Sequence, residues 1–367
     1  MKNQAAIFTA AITLILPTVQ APPPSGKEAQ WHVDYMHAHN AHNISTGKGI
    51  TVAVIDSGVQ PHPDIEHAIL PGISFLPGDN SKGQQDDQGH GTAIAGLIAG
   101  KGGTGHVLGI APNSKILPIR ILDANGRGDS NTTAKAIRWA IRSRAKIVNI
   151  SSGGGPNSEV RKAVEEATKA GLIVVASSGN KPAQDIVAFP AYINGVVAVG
   201  ATDKDGVIAD ISASGEGLLL TAPGVDLLST SKDQRYETGT GTSGAAAIVS
   251  GVAALVWSRY PELSAAEVVH RMTATAVDKG APGRDPEYGF GIVDPVAALT
   301  ADVPPLAASG EPAPGGESAQ ATPVPTPNTP GQVAVILVAV IASLLAVALV
   351  VALIVLRGRA RRNGTGG

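Results

Sequence analysis

The chain has no cysteine among its 367 residues. That excludes disulfides, metal–thiolate sites and a thiol nucleophile together. It also lacks an excess of charge of either sign: 28 Lys and Arg stand against 30 Asp and Glu, a formal net charge of −2. The balance points away from nucleic acid and from any strongly charged partner. No internal repeat is visible. What is abundant is unevenly spread, and the 44 glycines and 26 prolines mark out the organisation of the chain.

Two apolar stretches lie outside any globular region. Ala5 to Leu16 follows Lys2 and precedes Val19-Gln20-Ala21, the pattern of a secretory signal peptide over residues 1–21. An uncleaved N-terminal anchor is the alternative. The second stretch, Val333 to Leu356, has Ser343 as its one polar member and is long enough to cross a bilayer. Arg357, Arg359, Arg361 and Arg362 follow at once. The positive-inside rule then puts the tail 357–367 in the cytoplasm and everything before Val333 outside, a single-pass cell-membrane protein. Residues 301–332, as in EPAPGGESAQATPVPTPNTP, have the composition of an extended, disordered linker. Residues 22–48 form a short leader, and 49–300 the one globular domain.

Within that domain, ITVAVI (Ile50–Ile55), KILPIRIL (Lys115–Leu122), KIVNIS (Lys146–Ser151), LIVVAS (Leu172–Ser177) and VVAVGA (Val196–Ala201) are apolar on both faces, as strands covered on both sides must be. Ile137, Ala140, Ile141 and Ala145 recur at helical spacing, as do Val160, Ala163, Val164 and Ala167. Strands alternating with helices predict an α/β fold with a mainly parallel sheet. In such folds chemistry sits in loops at the carboxyl ends of strands.

Three segments place reactive side chains there. Asp56 ends a strand in VAVIDSGV, His90 lies in GHGTAIAGLIAG, and Ser243 in GTGTSGAAAIVSGVAALV. Singly, each has a plain reading: a turn Asp, a loop His, a Ser that caps a helix. Together they supply an acyl-transfer site. A Ser hydroxyl needs an adjacent base, imidazole can be that base near neutral pH, and a carboxylate orients the imidazole. A helix start at Ser243 adds backbone N–H groups near the developing oxyanion.

The order Asp, His, Ser and the three blocks VAVIDSGV, GHGTAIAG and GTSGAAAIVSG resemble the subtilisin-like protease family, from Gly49 to about Leu299. The resemblance implies a three-layer α/β/α fold and peptide-bond hydrolysis by a serine endopeptidase with the triad Asp56, His90 and Ser243. It implies an oxyanion donor at Asn180, in VVASSGN. It also implies substrate-binding segments at Ser151, Ser152 and Gly153 and, opposite, at Gly126, Arg127 and Gly128, which would sandwich an extended peptide. Signal peptide, leader, protease domain, Pro-rich linker and membrane helix together resemble the mycosins, membrane-anchored subtilases associated with type VII secretion. The segment between the signal peptide and the first strand is too short for a domain-sized propeptide.

There are departures. The family usually has a bulky residue after the nucleophile, and here Gly244 stands there. Ala247 replaces a proline. Gly244 is expected to unwall the site, lowering activity or widening specificity. The family's calcium loop corresponds to GGTGHVLG, which lacks the oxygen ligands Ca²⁺ requires, so no calcium site, other metal or cofactor is expected. His32, His37, His39 and His42 read as a polar leader strand, His62 as part of a surface turn, and Asp86 and Asp87 as a solvated loop that could favour basic substrate side chains. The expected partners are a polypeptide substrate, the cell membrane and components of type VII secretion. The expected function is a restricted processing protease. The alternative is a structural or interaction subunit of a membrane secretion complex, in which turnover is dispensable.

Overall fold

The computed structural model describes residues 30–306. The expected signal peptide, residues 22–29 of the expected leader, most of the expected linker, and the expected membrane helix and cytoplasmic tail lie outside the described residues. Among the described residues no helix is long and apolar enough to cross a membrane.

The elements run α1 (Trp31–Tyr35), α2 (Ala38–His42), β1 (Thr51–Asp56), β2 (Ile73–Ser74), α3 (His90–Ala99), β3 (Lys115–Arg120), α4 (Ser130–Arg142), β4 (Ile147–Ile150), α5 (Ser158–Lys169), β5 (Ile173–Ser177), β6 (Val196–Thr202), β7 (Leu218–Pro223), β8 (Leu227–Thr230), β9 (Tyr236–Gly239), α6 (Thr242–Arg259), α7 (Ala265–Ala274) and α8 (Pro295–Thr300). Seven strands form one sheet in the order β2-β3-β1-β4-β5-β6-β7, parallel throughout. β8 and β9 form a separate antiparallel ribbon. The five strands expected from the apolar runs are all present, each within two residues of its expected ends.

The two-sided apolar character of these runs has a direct cause. Side chains alternate across a strand, so Val52 and Val54 enter one core while Ala53 and Ile55 enter the other. The first core is closed by α3 and α6, the second by α4 and α5. The result is the three-layer α/β/α arrangement. α4 and α5 bury only one stripe each and are started by Asp129 and Asn157, whose side chains accept from backbone N–H groups of the first turn. Such caps contribute about 1 kcal/mol. α6 has no polar stripe and is buried almost all round, as a central helix must be.

β1 lies between β3 and β4 although β2 and α3 follow it in the chain. The connections therefore diverge on either side of β1, and a crevice opens at the carboxyl end of that strand. Asp56 is its last residue.

The leader corrects the expectation of a polar strand. Residues 31–42 form two short helices joined through His37, whose φ of 47° breaks the turn. Val33, Met36, Ala38 and Ala41 belong to the first core. His32 is fully buried, and neither ring nitrogen has a hydrogen-bond partner. Each helix is too short to display a periodicity, so the four histidines made the segment look merely polar.

Candidate active site

Asp56 is fully buried, and its Oδ1 accepts from His90 Nδ1 at 2.8 Å, from the Ser57 N–H at 2.7 Å and from Ser57 Oγ at 3.2 Å. An ionised carboxylate can only accept, so the imidazole carries its proton on Nδ1 and turns Nε2 outward. Two glycines bring His90 this close. Gly89 has φ +101°, and a Cβ on Gly91 would lie 2.0 Å from the Gly58 carbonyl oxygen. Ser57 Oγ also accepts from the Gly91 N–H at 3.0 Å, fixing the start of α3 on the end of β1. The Asp56 charge pushes the His90 imidazole up to about 9, against the opposing effect of burial; Asp86 and Glu237 add to the rise.

Ser243 is the second residue of α6. Its Oγ donates to the Ser151 carbonyl at 3.1 Å, not to His90. Asn180 follows β5, and its Oδ1 accepts from the Thr242 N–H at 3.0 Å and from Thr242 Oγ1 at 3.1 Å. With the oxygen held in this way, the Nδ2 hydrogens are left for another acceptor. A Cβ on Gly241 would sit 3.3 Å from that Nδ2, so glycine admits the amide to the mouth of α6. A buried chain of bonds ties this helix to β4: Ser250 Oγ donates to Asn149 Oδ1 at 3.0 Å, and Asn149 Nδ2 to Ser151 Oγ at 2.8 Å. Sequence reasoning missed Ser57, Thr242, Asn149 and Ser250. A polar Asn inside the apolar run KIVNIS was the signal available for the last pair.

The structure thus brings Asp56 to His90, Ser243 to Ser151, and Asn180 to the residue before Ser243. Ser152 and Gly153 follow β4, the first half-buried and the second exposed. Gly126 lies in a turn with φ +72°, against the Gln88 amide, and Arg127 N–H closes that turn onto Asp123 Oδ1 at 2.9 Å. Arg127 and Gly128 follow that turn as extended, non-helical chain before α4. Gly244 does not leave a gap: a Cβ there would lie 2.6 Å from Leu227 Cδ1, so Leu227, with Leu97 behind it, occupies that space.

Three further expectations change. Asp86 is buried, not solvated. Its Oδ1 accepts from the Gln88 and Gly89 N–H groups and its Oδ2 from Thr92 N–H and Oγ1. Asp87 is exposed, but its oxygens are taken by Arg120 at 2.6 Å and Gln85 at 2.9 Å. His62 is 1% exposed and packs edge-on against the ring of Tyr236, because its turn is covered by the ribbon.

The GGTGHVLG loop closes on Asp64, a fully buried carboxylate. His106 Nδ1 donates to its Oδ1 at 2.5 Å and the Val107 N–H to its Oδ2 at 2.8 Å. The Gln30 side chain clasps the same loop through His106 O and Leu108 N. Both carboxylate oxygens already serve hydrogen-bond donors, and a donor imidazole stands where Ca²⁺ would need oxygen ligands. These residues do not fit calcium.

Residues 47–291 match the subtilase family, peptidase family S8. Subtilisin BL of Lederbergia lenta is 38% identical over 270 residues, which cover 73% of this chain and 97% of that protein. MycP1 from Mycobacterium smegmatis superposes with a TM-score of 0.69 at 30% identity, over 79% of this chain and 91% of MycP1. The MycP3 protease from the type VII (ESX-3) secretion system gives a TM-score of 0.67 at 31% identity, over 77% and 92%. A parallel α/β/α sheet, a carboxylate–imidazole pair at its central strand and a match over most of the described domain lead to one conclusion: the chain belongs to the subtilase family of serine proteases.

Proposed function

We propose that this subtilase cleaves polypeptides outside the cytoplasm through an acyl-enzyme on Ser243. The observation that carries the reading is the 2.8 Å pair between Asp56 and His90 at the mouth of the crevice that also holds Ser243 and Asn180. In the first step the Ser243 hydroxyl turns from the Ser151 carbonyl to His90 Nε2. Its oxygen bonds to the substrate carbonyl carbon as its proton passes to the imidazole. Asp56 stabilises the imidazolium so formed. The Asn180 Nδ2–H and the Ser243 N–H donate to the oxyanion. The imidazolium then protonates the departing amine as the C–N bond breaks. Water repeats the sequence and releases the acyl half.

The likeness to MycP1 and MycP3, together with the apolar stretch at residues 333–356, supports a membrane-anchored processing protease that works with type VII secretion components. A second reading has its own support. The Ser243 hydroxyl rests on Ser151 and not on its base, as suits a secretion subunit whose turnover is slow or dispensable.

A fluorophosphonate probe applied to the full-length protein in membranes tests the first reading. Wild type is expected to label and Ser243→Ala to stay dark. An unlabelled but folded wild type would sink it, and equal labelling of both would remove Ser243 as nucleophile. The second reading requires Ser243→Ala to restore secretion to a deletion strain; failure to do so overturns it.

A further inference from the structure

We propose that Glu237 selects substrates carrying a basic side chain on the leaving side of the cleaved bond, an assignment that rests on the peptidase reading above. Acidic selectivity near His90 was expected from Asp86 and Asp87, and the fold commits both of those to internal bonds. Glu237 is the acidic neighbour of His90 that keeps an open side. It lies on β9, opposite Ser229 in the ribbon, and is exposed. Ser231 Oγ donates to its Oε2 at 2.8 Å, which holds the carboxylate in place. Its Oε1 lies 3.7 Å from where a Cβ on Gly89 would be, directly beside the residue that precedes His90.

No Lys or Arg among the described residues comes within 4.0 Å of this carboxylate. Lys232 also passes Gly89, but its ammonium is turned to the Asp87 carbonyl. Glu237 is therefore a fixed, solvent-facing charge with no Lys or Arg paired to it among the described residues. Gly239, two residues on, has nothing within 4 Å of its Cβ direction, so the strand leading to Ser243 leaves room for a substrate side chain.

The side of the bond follows from the attachments. Ser151–Gly153, an expected substrate-binding segment, leaves β4 and holds the Ser243 hydroxyl on the Ser151 carbonyl, so the acyl half that Ser243 captures lies on that side. The ribbon is instead fastened to the helix of His90, through Ser229 Oγ to Ala93 O at 2.7 Å and Thr230 Oγ1 to Thr92 O at 2.8 Å. His90 hands its proton to the departing amine, so the departing residue lies on the ribbon side. A lysine or arginine there extends its charge past His90 towards Glu237. The carboxylate faces solvent, so the gain is that of an exposed ion pair, about fivefold at most, and salt weakens it.

Two peptide series with one common acyl half and Lys, Gln or Glu at the first or second leaving position test the assignment on the full-length protein. The wild type is expected to favour Lys over Gln by about fivefold in kcat/KM at low salt, with the preference collapsing in molar NaCl. Glu237→Gln should bring the ratio to near one, and Glu237→Lys should turn it towards Glu. A ratio is insensitive to partial misfolding, so these variants read selectivity alone. A wild type that labels with fluorophosphonate yet cleaves Lys and Gln peptides alike overturns the Glu237 assignment by itself. A Lys preference that persists in Glu237→Gln overturns it equally. A wild type that does not label overturns the peptidase reading, and this one with it.

Discussion

The fold contains two carboxylate–imidazole pairs that are nearly the same object. In each, a fully buried Asp accepts from the Nδ1 of a His whose side chain is about one-third exposed: Asp56 with His90 at 2.8 Å, and Asp64 with His106 at 2.5 Å. Their surroundings differ. His90 stands at the carboxyl end of β1, and Ser243 is bonded to Ser151 just after the neighbouring β4, with Asn180 bonded to Thr242 beside it. His106 sits in a loop clasped by Gln30, on a carboxylate whose second oxygen is filled by Val107 N–H. The pair by itself is only a way to orient an imidazole. On the proposed function, Ser243 and Asn180 turn one copy towards chemistry, while the other, among the described residues, fastens a loop.

Exchanging the carboxylates is the largest test of that contrast. Asp56→Asn should lower kcat by about 10⁴, the scale of a mis-set tautomer. Asp64→Asn should leave turnover per folded molecule within a few-fold while lowering Tm. An equal loss of turnover at both sites would break the distinction. The pH profile comes next. With His90 raised to about 9, the base is protonated at neutral pH. kcat/KM should therefore rise roughly tenfold per pH unit and level off near 9. The stabilising contribution of this pair runs the other way. It is fully present below the unfolded imidazole value of 6.5 and is lost as pH rises through about 9. A profile that levels off near 6.5 would show that Asp56 does not govern His90.

Asn180→Ala should cost about 10² in kcat with little change in KM, since its donor acts on the oxyanion and not on the bound substrate. The fully buried His32 gives a smaller, opposite effect. Burial alone lowers His32 to about 4. Its neutral form suits the fold, so stability falls as pH drops from 6.5 through 4, by roughly 3 kcal/mol in total. His32→Leu should abolish that acid sensitivity in a pH series of thermal melts. Last, His106→Ala strips the buried Asp64 of its main donor while Val107 N–H remains. A loss of about 2 kcal/mol is expected, in thermal melts that EDTA does not shift.

Much of this arrangement was legible beforehand because parallel strands buried on both faces leave unbroken apolar runs. The polar residue closing the first run, Asp56, is legible that way, whereas Asn180 is indicated by the resemblance of VVASSGN to the subtilisin-like family. His90 and Ser243 open helices behind glycines, another local mark. The residues left unread share a different property. Glu237 lies on an exposed ribbon with no apolar alternation. His62 and Asp64 share one turn, but His106 comes from a loop 42 residues further on, and the pairing takes shape only when the fold brings that loop onto Asp64. The leader defeated reading because a left-handed His37 cuts it into helices of barely one turn.

The long central helix carries one further consequence. Ser243 stands at the start of α6, and Tyr260, immediately after its other end, donates its hydroxyl to Leu299 O at 2.7 Å as the chain leaves α8. Eighteen helical residues span about 27 Å. The described chain therefore leaves the domain beside the end of α6 remote from Ser243. A load applied beyond Thr300 would pull on the rear of that helix and would leave the loops around Ser243 clear.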